Sequence, residues 1–391
     1  MKVKLVYLDH NATTPVASEV LEAMHPYFRE DFYNPSSIYS PAQKVREKVE
    51  EARLKVARLL NAEPSEIVFT SGGTEANNQA IIGGARANRK KGNHIITSAI
   101  EHHAVLDTCL RLEKEGFEVT VLPVDQYGTV SPESLQKAIK PETVLVSIMY
   151  ANNEVGTVQD IKTLAHIARQ NGSLFHTDAV QAVGKIKVDV KELGIDMLSL
   201  SAHKFYGPKG IGCLYIKKGV KVESLLTGGG QENKMRAGTE NTPGIIGLGR
   251  AAEFILENRE EMEKRIRELE ELLRQGIKDR IPDVIFTGHP ENRVPGCVSV
   301  CFKYIEGESM LLLLDQQGIM ASSGSACSSK SLKASHVLLA MGITPEIAHG
   351  SLRLSLGKDT KREDIEYVLE VLPGVVEKLR AMSPLYRRGD G

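Results

Sequence analysis

Two hydrophobic periods alternate along most of this chain. Between positions 41 and 60, Val45, Val49, Ala52, Val56 and Leu59 recur every three or four places and Asn61 follows, which predicts an amphipathic helix with its stop signal. From position 66 short apolar runs take over. Strands are predicted over 67–70, 94–98, 119–122, 144–149 and 174–177, with helical stretches near 74–88, 104–115, 133–139 and 161–170 between them. Such alternation implies an α/β protein with a largely parallel sheet wrapped by helices. Further strands are expected at 197–200 and 211–216, and a short one at 3–8 leads into a polar turn, 9–15, where no chemistry is forced.

A long helix with room for an interruption is predicted over 243–278 from the stripe Ile255, Met262, Ile266, Leu269, Leu273 and Ile277, its many charges forming a solvated face. Beyond it the pattern is a smaller α+β one, with strands over 284–287, 297–302 and 352–356 and helices near 309–317, 336–341 and 362–380. At 391 residues the chain exceeds what one core usually organises. Two domains are therefore expected, a large one over 15–258 and a small one made of 1–14 with 259–391. The tail from 383 is polar, its Arg388-Gly389-Asp390 is taken as chance, and no internal repeat stands out.

Hydrophobic residues at 41% and charged residues at 25% exclude a disordered or fibrous chain. A net charge of −1 removes any global electrostatic case for nucleic acid or an anionic membrane as partner. The first ten residues read as neither a signal nor a transit peptide, and the longest apolar run, 310–314, is too short to span a bilayer. A cytoplasmic location is expected. Five cysteines, an odd number, argue against a disulfide framework and leave room for a reactive thiol.

Candidate chemistry gathers at predicted element ends, where ligand sites of α/β sheets collect. Lys204 follows a short apolar strand and precedes the glycine-rich corner at Gly207 and Gly210. A partly desolvated lysine there has the lowered pKa that an amine needs to form a Schiff base with a carbonyl cofactor; the plainer reading is a surface charge. In Ser71-Gly72-Gly73-Thr74-Glu75, backbone N–H groups at Gly73 and Thr74 suit a phosphate, or Thr74 merely caps a helix. No Walker lysine or dinucleotide fingerprint accompanies it, so the phosphate is not expected to be a nucleotide's. Asp178 ends a buried strand and calls for a cationic partner such as a protonated pyridine nitrogen, with Gln181 set for a ring oxygen; a capping aspartate is the alternative.

His102 and His103 open a helix, and neighbours there diverge by about 100°, so stacking of one ring on an aromatic cofactor is favoured over a metal site. Cys327 lies in a small, polar stretch, Ser322 to Ser329, while Cys109, Cys213, Cys297 and Cys301 lie on predicted elements and read as packed and inert. A loop thiol suits sulfur relay, or is simply exposed. Arg353 enters a strand as a fork for a substrate carboxylate or as a surface ion pair.

Taken together, Tyr-Leu-Asp-His-Asn-Ala-Thr-Thr-Pro-Val (from Tyr7), Asn-Pro-Ser-Ser (from Asn34), Ser-Gly-Gly-Thr-Glu-Ala-Asn-Asn (from Ser71), Asn-Asn-Glu-Val-Gly (from Asn152), His-Thr-Asp-Ala-Val-Gln (from His176), Ser-Ala-His-Lys (from Ser201) and Ser-Ser-Gly-Ser-Ala-Cys (from Ser322) resemble the cysteine desulfurases of the NifS/IscS type. These belong to the class V aminotransferase superfamily with the type I pyridoxal-phosphate fold. The resemblance implies that Lys204 carries pyridoxal 5'-phosphate, that His102 stacks on its ring, that Asp178 meets the pyridine nitrogen and Gln181 the ring oxygen, and that Gly73, Thr74, Ser201 and His203 hold the phosphate. Asn153 and Arg353 would hold the substrate carboxylate, with Asn153 also beside the cofactor, and Cys327 would accept sulfur from L-cysteine as a persulfide, with His102 as the base for its thiol. Thr239 would reach the phosphate of a neighbouring subunit, which implies a homodimer with shared sites. An iron–sulfur scaffold protein or another acceptor would take the sulfur, for cluster assembly or tRNA thiolation. A selenocysteine lyase and a class V aminotransferase remain as alternatives. Tyr33, Tyr39 and the pair Asn233-Lys234 depart from the family's usual glycine, histidine and arginine–glycine.

Overall fold

The computed structural model describes residues 4–323, 334–384 and 386. Its strands, in chain order, are β1 (Val6–Tyr7), β2 (Ile67–Thr70), β3 (His94–Ser98), β4 (Glu118–Leu122), β5 (Thr143–Ser147), β6 (Leu174–Asp178), β7 (Met197–Ser201), β8 (Gly212–Ile216), β9 (Val284–Phe286), β10 (Cys297–Phe302), β11 (Ile319–Met320) and β12 (Ser351–Ser355). Seven of them form one sheet in the order β2-β8-β7-β6-β5-β3-β4. Pairing is parallel from β7 through β6, β5 and β3 to β4, whereas β8 lies antiparallel to both β7 and β2. Only β8 runs against the rest, so the C-terminal ends of β2, β3, β5, β6 and β7 open on one edge.

Period-two alternation divides the strand side chains between two cores. Phe69, Ile96, Val146, Phe175 and Leu200 face one side with Val49 and Val56 of the helix Ser40–Leu60 and Ile245, Leu248 and Ile255 of the helix Thr242–Arg280. Val68, Ile95, Leu145, Met197 and Leu214 face the other, against Ala76, Ile81 and Ala85 and against Val105 and Leu112 of the helix His103–Glu113. The stretch expected as one helix over 74–88 is α-helical at Gly73–Asn78, π-helical at Gln79–Gly83 and α-helical again at Gly84–Ala87.

The long helix is unbroken over 39 residues, a span of about 58 Å. Its glycines serve packing rather than interruption: a Cβ on Gly249 would stand 2.6 Å from Ala52 Cβ, so only glycine lets the two long helices come this close. The C-terminal half of the helix joins a third core, where Ile266, Leu269, Leu273 and Ile277 meet Val298 and Val300 of β10, Leu352 and Leu354 of β12, and Val6 and Leu8. In that part β12-β10-β9 form an antiparallel sheet and β1 pairs parallel with β11. The N-terminal strand is thus built onto the C-terminal part of the chain, and residues 9–12 pass from one core to the other.

At the Asn233-Lys234 departure the backbone turns left-handed, with φ of 46° at Glu232, 53° at Asn233 and 68° at Lys234. Lys234 therefore holds a conformation that a glycine would adopt without strain.

Candidate active site

At the C-terminal edge of the sheet the strands give way to a cavity of about 430 Å³. Gly73, Thr74, His102, Asn153, Asp178, Gln181, Ser201, His203, Lys204 and Arg353 all line it. Thr239 does not. It is exposed and stands outside this cavity. Cys327 lies outside the described residues.

Lys204 closes a one-turn 3-10 segment, Ala202–Lys204, directly after β7. Its Nζ donates to Asn11 O at 2.8 Å and Ala12 O at 2.7 Å, so the turn at 9–12, where no chemistry was expected, forms the wall against which the amine rests. Asp178, the last residue of β6, is 4% exposed. Oδ1 accepts from Val180 N at 2.9 Å, a capped turn, and Oδ2 accepts from Asn77 Nδ2 at 2.6 Å. Burial pushes its carboxyl up, opposed by Val180 N–H, His102, Asn77 and Lys204. A carboxylate so placed gains from a cation brought into the cavity.

His102 is the extended cap residue before the helix His103–Glu113, and its Nδ1 accepts from Ala104 N at 3.1 Å. That bond assigns the proton of the neutral ring to Nε2. In this tautomer Nε2–H is a hydrogen-bond donor. Burial lowers its pKa, and Lys204 adds to the effect while Asp178 opposes it. His103 turns away, 3.5 Å from Asp107 and with its ring 5.0 Å from that of His336.

The helix cap beside the glycines is Gly72, at φ 154°, and Thr74 lies inside the first turn, so the capping reading of Thr74 fails. A Cβ on Gly73 would stand 2.7 Å from Val180 Cγ2, so glycine keeps this backbone open to the cavity. His203 Nδ1 lies 3.1 Å from Thr13 Oγ1, and burial followed by Lys204 and Lys209 pushes its ring down to about 4. It offers a neutral N–H, not a charge, to an anion near Ser201.

Arg353 sits in β12, almost wholly buried. Nη1 donates to Asn153 O at 3.0 Å and Nη2 to Asp9 Oδ1 at 2.8 Å, while Nε has no partner among the described residues. An orphaned, buried guanidinium N–H at the cavity is a ready donor for a carboxylate. Asp9, Asn11 and Asn77 went unrecognised in the sequence, although all three lie inside its motifs. Among the described cysteines Cys109 and Cys301 are pushed up to about 12 by burial, and Cys213 and Cys297 are raised by it too, so none offers a thiolate. No cluster of three or more metal-ligating side chains occurs among the described residues, and no helix among them is long and apolar enough to cross a membrane.

Glu101, just before His102, is fully buried, with Oε1 accepting from Ser98 Oγ at 2.6 Å and Met149 N at 2.8 Å and Oε2 without a partner among the described residues. Burial pushes its carboxyl up to about 8. Between about pH 4.5 and pH 8 the folded protein therefore keeps a proton that the unfolded chain has released, and stability falls as pH rises. Urea unfolding from pH 5 to pH 7 should show Glu101→Gln losing this slope, a difference of about 1 kcal/mol per pH unit from the parent. Equal slopes would mean that Glu101 is ionised in the fold.

Comparison with known proteins agrees with this geometry. The family model for class-V aminotransferases matches residues 6–368. The chain belongs to that family. A cysteine desulfurase IscS of Methanosarcina thermophila is 58% identical over 382 residues, 98% of this chain and 94% of the relative. Among solved structures, a NifS-like protein superposes with a TM-score of 0.91 at 40% identity, covering 96% of this chain and all of its own. The structure described as SspA in complex with cysteine superposes with a TM-score of 0.81 at 39% identity over 90% of this chain and 98% of its own. Within the class-V aminotransferases, the chain falls in the cysteine desulfurase branch.

Proposed function

We propose that this chain binds pyridoxal 5'-phosphate at Lys204 and converts L-cysteine to L-alanine, passing the sulfur to Cys327. The observation that carries the reading is the convergence of Lys204, the buried carboxyl of Asp178 and the orphaned Nε of Arg353 on one cavity. The donor set suits the group: a carboxylate that gains from a cation matches a protonated pyridine, and the open backbone at Gly73 with Thr74, Ser201 and neutral His203 matches a phosphate. Once bound, the cofactor supplies an aldehyde that takes up amines and a ring that accepts electrons.

The chain's own residues then divide the work. Arg353 Nε and Asn153 orient the carboxylate of cysteine, with Asp9 holding the guanidinium in place. The Lys204 amine takes the Cα proton. Asp178 keeps a proton on the pyridine nitrogen. His102 would lie against the ring, with its neutral Nε2–H as a hydrogen-bond donor. Cys327, as thiolate, attacks the sulfur of cysteine; the Cβ–S bond breaks with its electron pair left on carbon, the proton of the substrate thiol and the proton held by Lys204 go to carbon, a persulfide stays on Cys327 and alanine leaves.

Ser323, four positions before Cys327 in the chain, lines the cavity. Ser322 pairs with Arg353 backbone to backbone at the cavity, and Ser335 Oγ donates to Glu154, the residue after the cavity-lining Asn153. The test is Cys327→Ala. It should keep the bound cofactor's visible absorption yet form no protein persulfide and release no sulfide from L-cysteine; full sulfide release would contradict the role.

The same reading assigns 15–258 to a large cofactor-binding domain and 1–14 with 259–391 to a small one. It places Thr239 at the phosphate of a second subunit in a homodimer, puts the enzyme in the cytoplasm and hands the persulfide to an iron–sulfur scaffold or a tRNA-thiolation acceptor.

A further inference from the structure

Behind the cavity wall, Lys185, Asn11 and Gln181 close a polar circuit that none of the roles above requires. Lys185 Nζ donates to Asn11 Oδ1 at 2.5 Å and to Gln181 Oε1 at 2.6 Å. Asn11 is 3% exposed and Gln181 4%, so neither amide has solvent to fall back on. Both contacts run from Nζ to an amide oxygen, so each amide turns its oxygen to Lys185 and its NH2 elsewhere. Asn11 Nδ2 accordingly reaches Asn153 O at 3.1 Å and Cys297 Sγ at 3.3 Å. Gln181 Nε2 reaches Asn11 O at 2.9 Å, which leaves its second amide hydrogen for the cavity that Gln181 lines. The same Asn11 carbonyl accepts from Lys204 Nζ.

We infer that Lys185 is a positioning residue that locks Gln181 so that an N–H, not a carbonyl oxygen, meets the ring oxygen of the cofactor. The inference rests on the cofactor reading proposed above. Lys185 is held there against its own preference, since burial pushes its amine down to about 7. The titratable and charged groups facing it are Cys297, Lys204, Arg353 and His10, and Lys204 and Arg353 also disfavour its charge. Without Lys185 both amide oxygens lose their donor, and nothing then fixes which end of the Gln181 amide faces the ring. The ring oxygen then loses a donor. That loss favours the protonated form of the bound cofactor.

The test uses the parent holoenzyme, Lys185→Met and Lys185→Arg, with the visible absorption of the bound cofactor followed from pH 6 to pH 10 and folding checked by circular dichroism. Lys185→Met should move the midpoint of the spectral change upward by about one pH unit, the worth of one hydrogen bond. Lys185→Arg, a donor-only cation, should restore the parent midpoint to within about 0.3 unit. If the methionine variant does not fold, Lys185→Gln replaces it with the same expected shift, because an amide dictates no polarity to its neighbours. A midpoint unchanged in Lys185→Met or Lys185→Gln overturns the inference while the cofactor reading stands. A parent with no visible band overturns both.

Discussion

Lys204→Ala is expected to lower the turnover of L-cysteine by roughly 10³-fold or more, because it removes the amine that holds the cofactor and moves the Cα proton. The fold should survive. Lys204 is partly exposed, at the end of a one-turn segment, and its amine bonds to the carbonyls of Asn11 and Ala12 at the cavity wall. Lys204→Arg should fail equally, since a guanidinium keeps the charge and the donors but is neither nucleophile nor base at neutral pH. Alanine formation under saturating pyridoxal phosphate measures both. Turnover by Lys204→Arg within about tenfold of the parent would show that charge alone matters at this position.

Asp178→Asn carries the second largest expected loss. Its carboxyl is buried at the cavity floor, and removing one member of a buried charge pair costs about 3–5 kcal/mol, or roughly 10²–10⁴ in cofactor retention and turnover. The substitution itself is well tolerated in shape. An asparagine amide can still accept from Val180 N, and Asn77, whose Oδ1 has no partner among the described residues, can turn over to accept the new N–H. The loss should therefore appear in cofactor dissociation and in rate, with unfolding midpoints close to the parent's. A large drop in thermal stability with normal turnover would instead make Asp178 a structural residue.

Much of the site was legible because its residues sit at strand ends within short, chemically loaded motifs. Lys204 directly after a buried strand and Asp178 closing another needed only the rule that α/β sheets bind at that edge. Asp9, Asn11 and Lys185 were not legible. Asn11 acts through contacts with Asn153, Gln181, Lys185, Lys204 and Cys297, all more than a hundred residues away in the chain, and no local pattern announces such a hub. The tautomer of His102 depends on a bond to Ala104 N that only the cap geometry supplies. In the fold, the reversed β8 was hidden because an apolar strand reads alike in either direction. The long helix hid its continuity behind glycines whose purpose, close approach to Ala52, is tertiary.

The account turns on which amine holds the cofactor. Borohydride reduction of the protein as isolated with pyridoxal phosphate, followed by peptide mass mapping, answers this directly. The account predicts loss of the visible band and a reduced pyridoxyl group on the peptide that carries Lys204. The group on another lysine, or no modified peptide while the band persists, would contradict it.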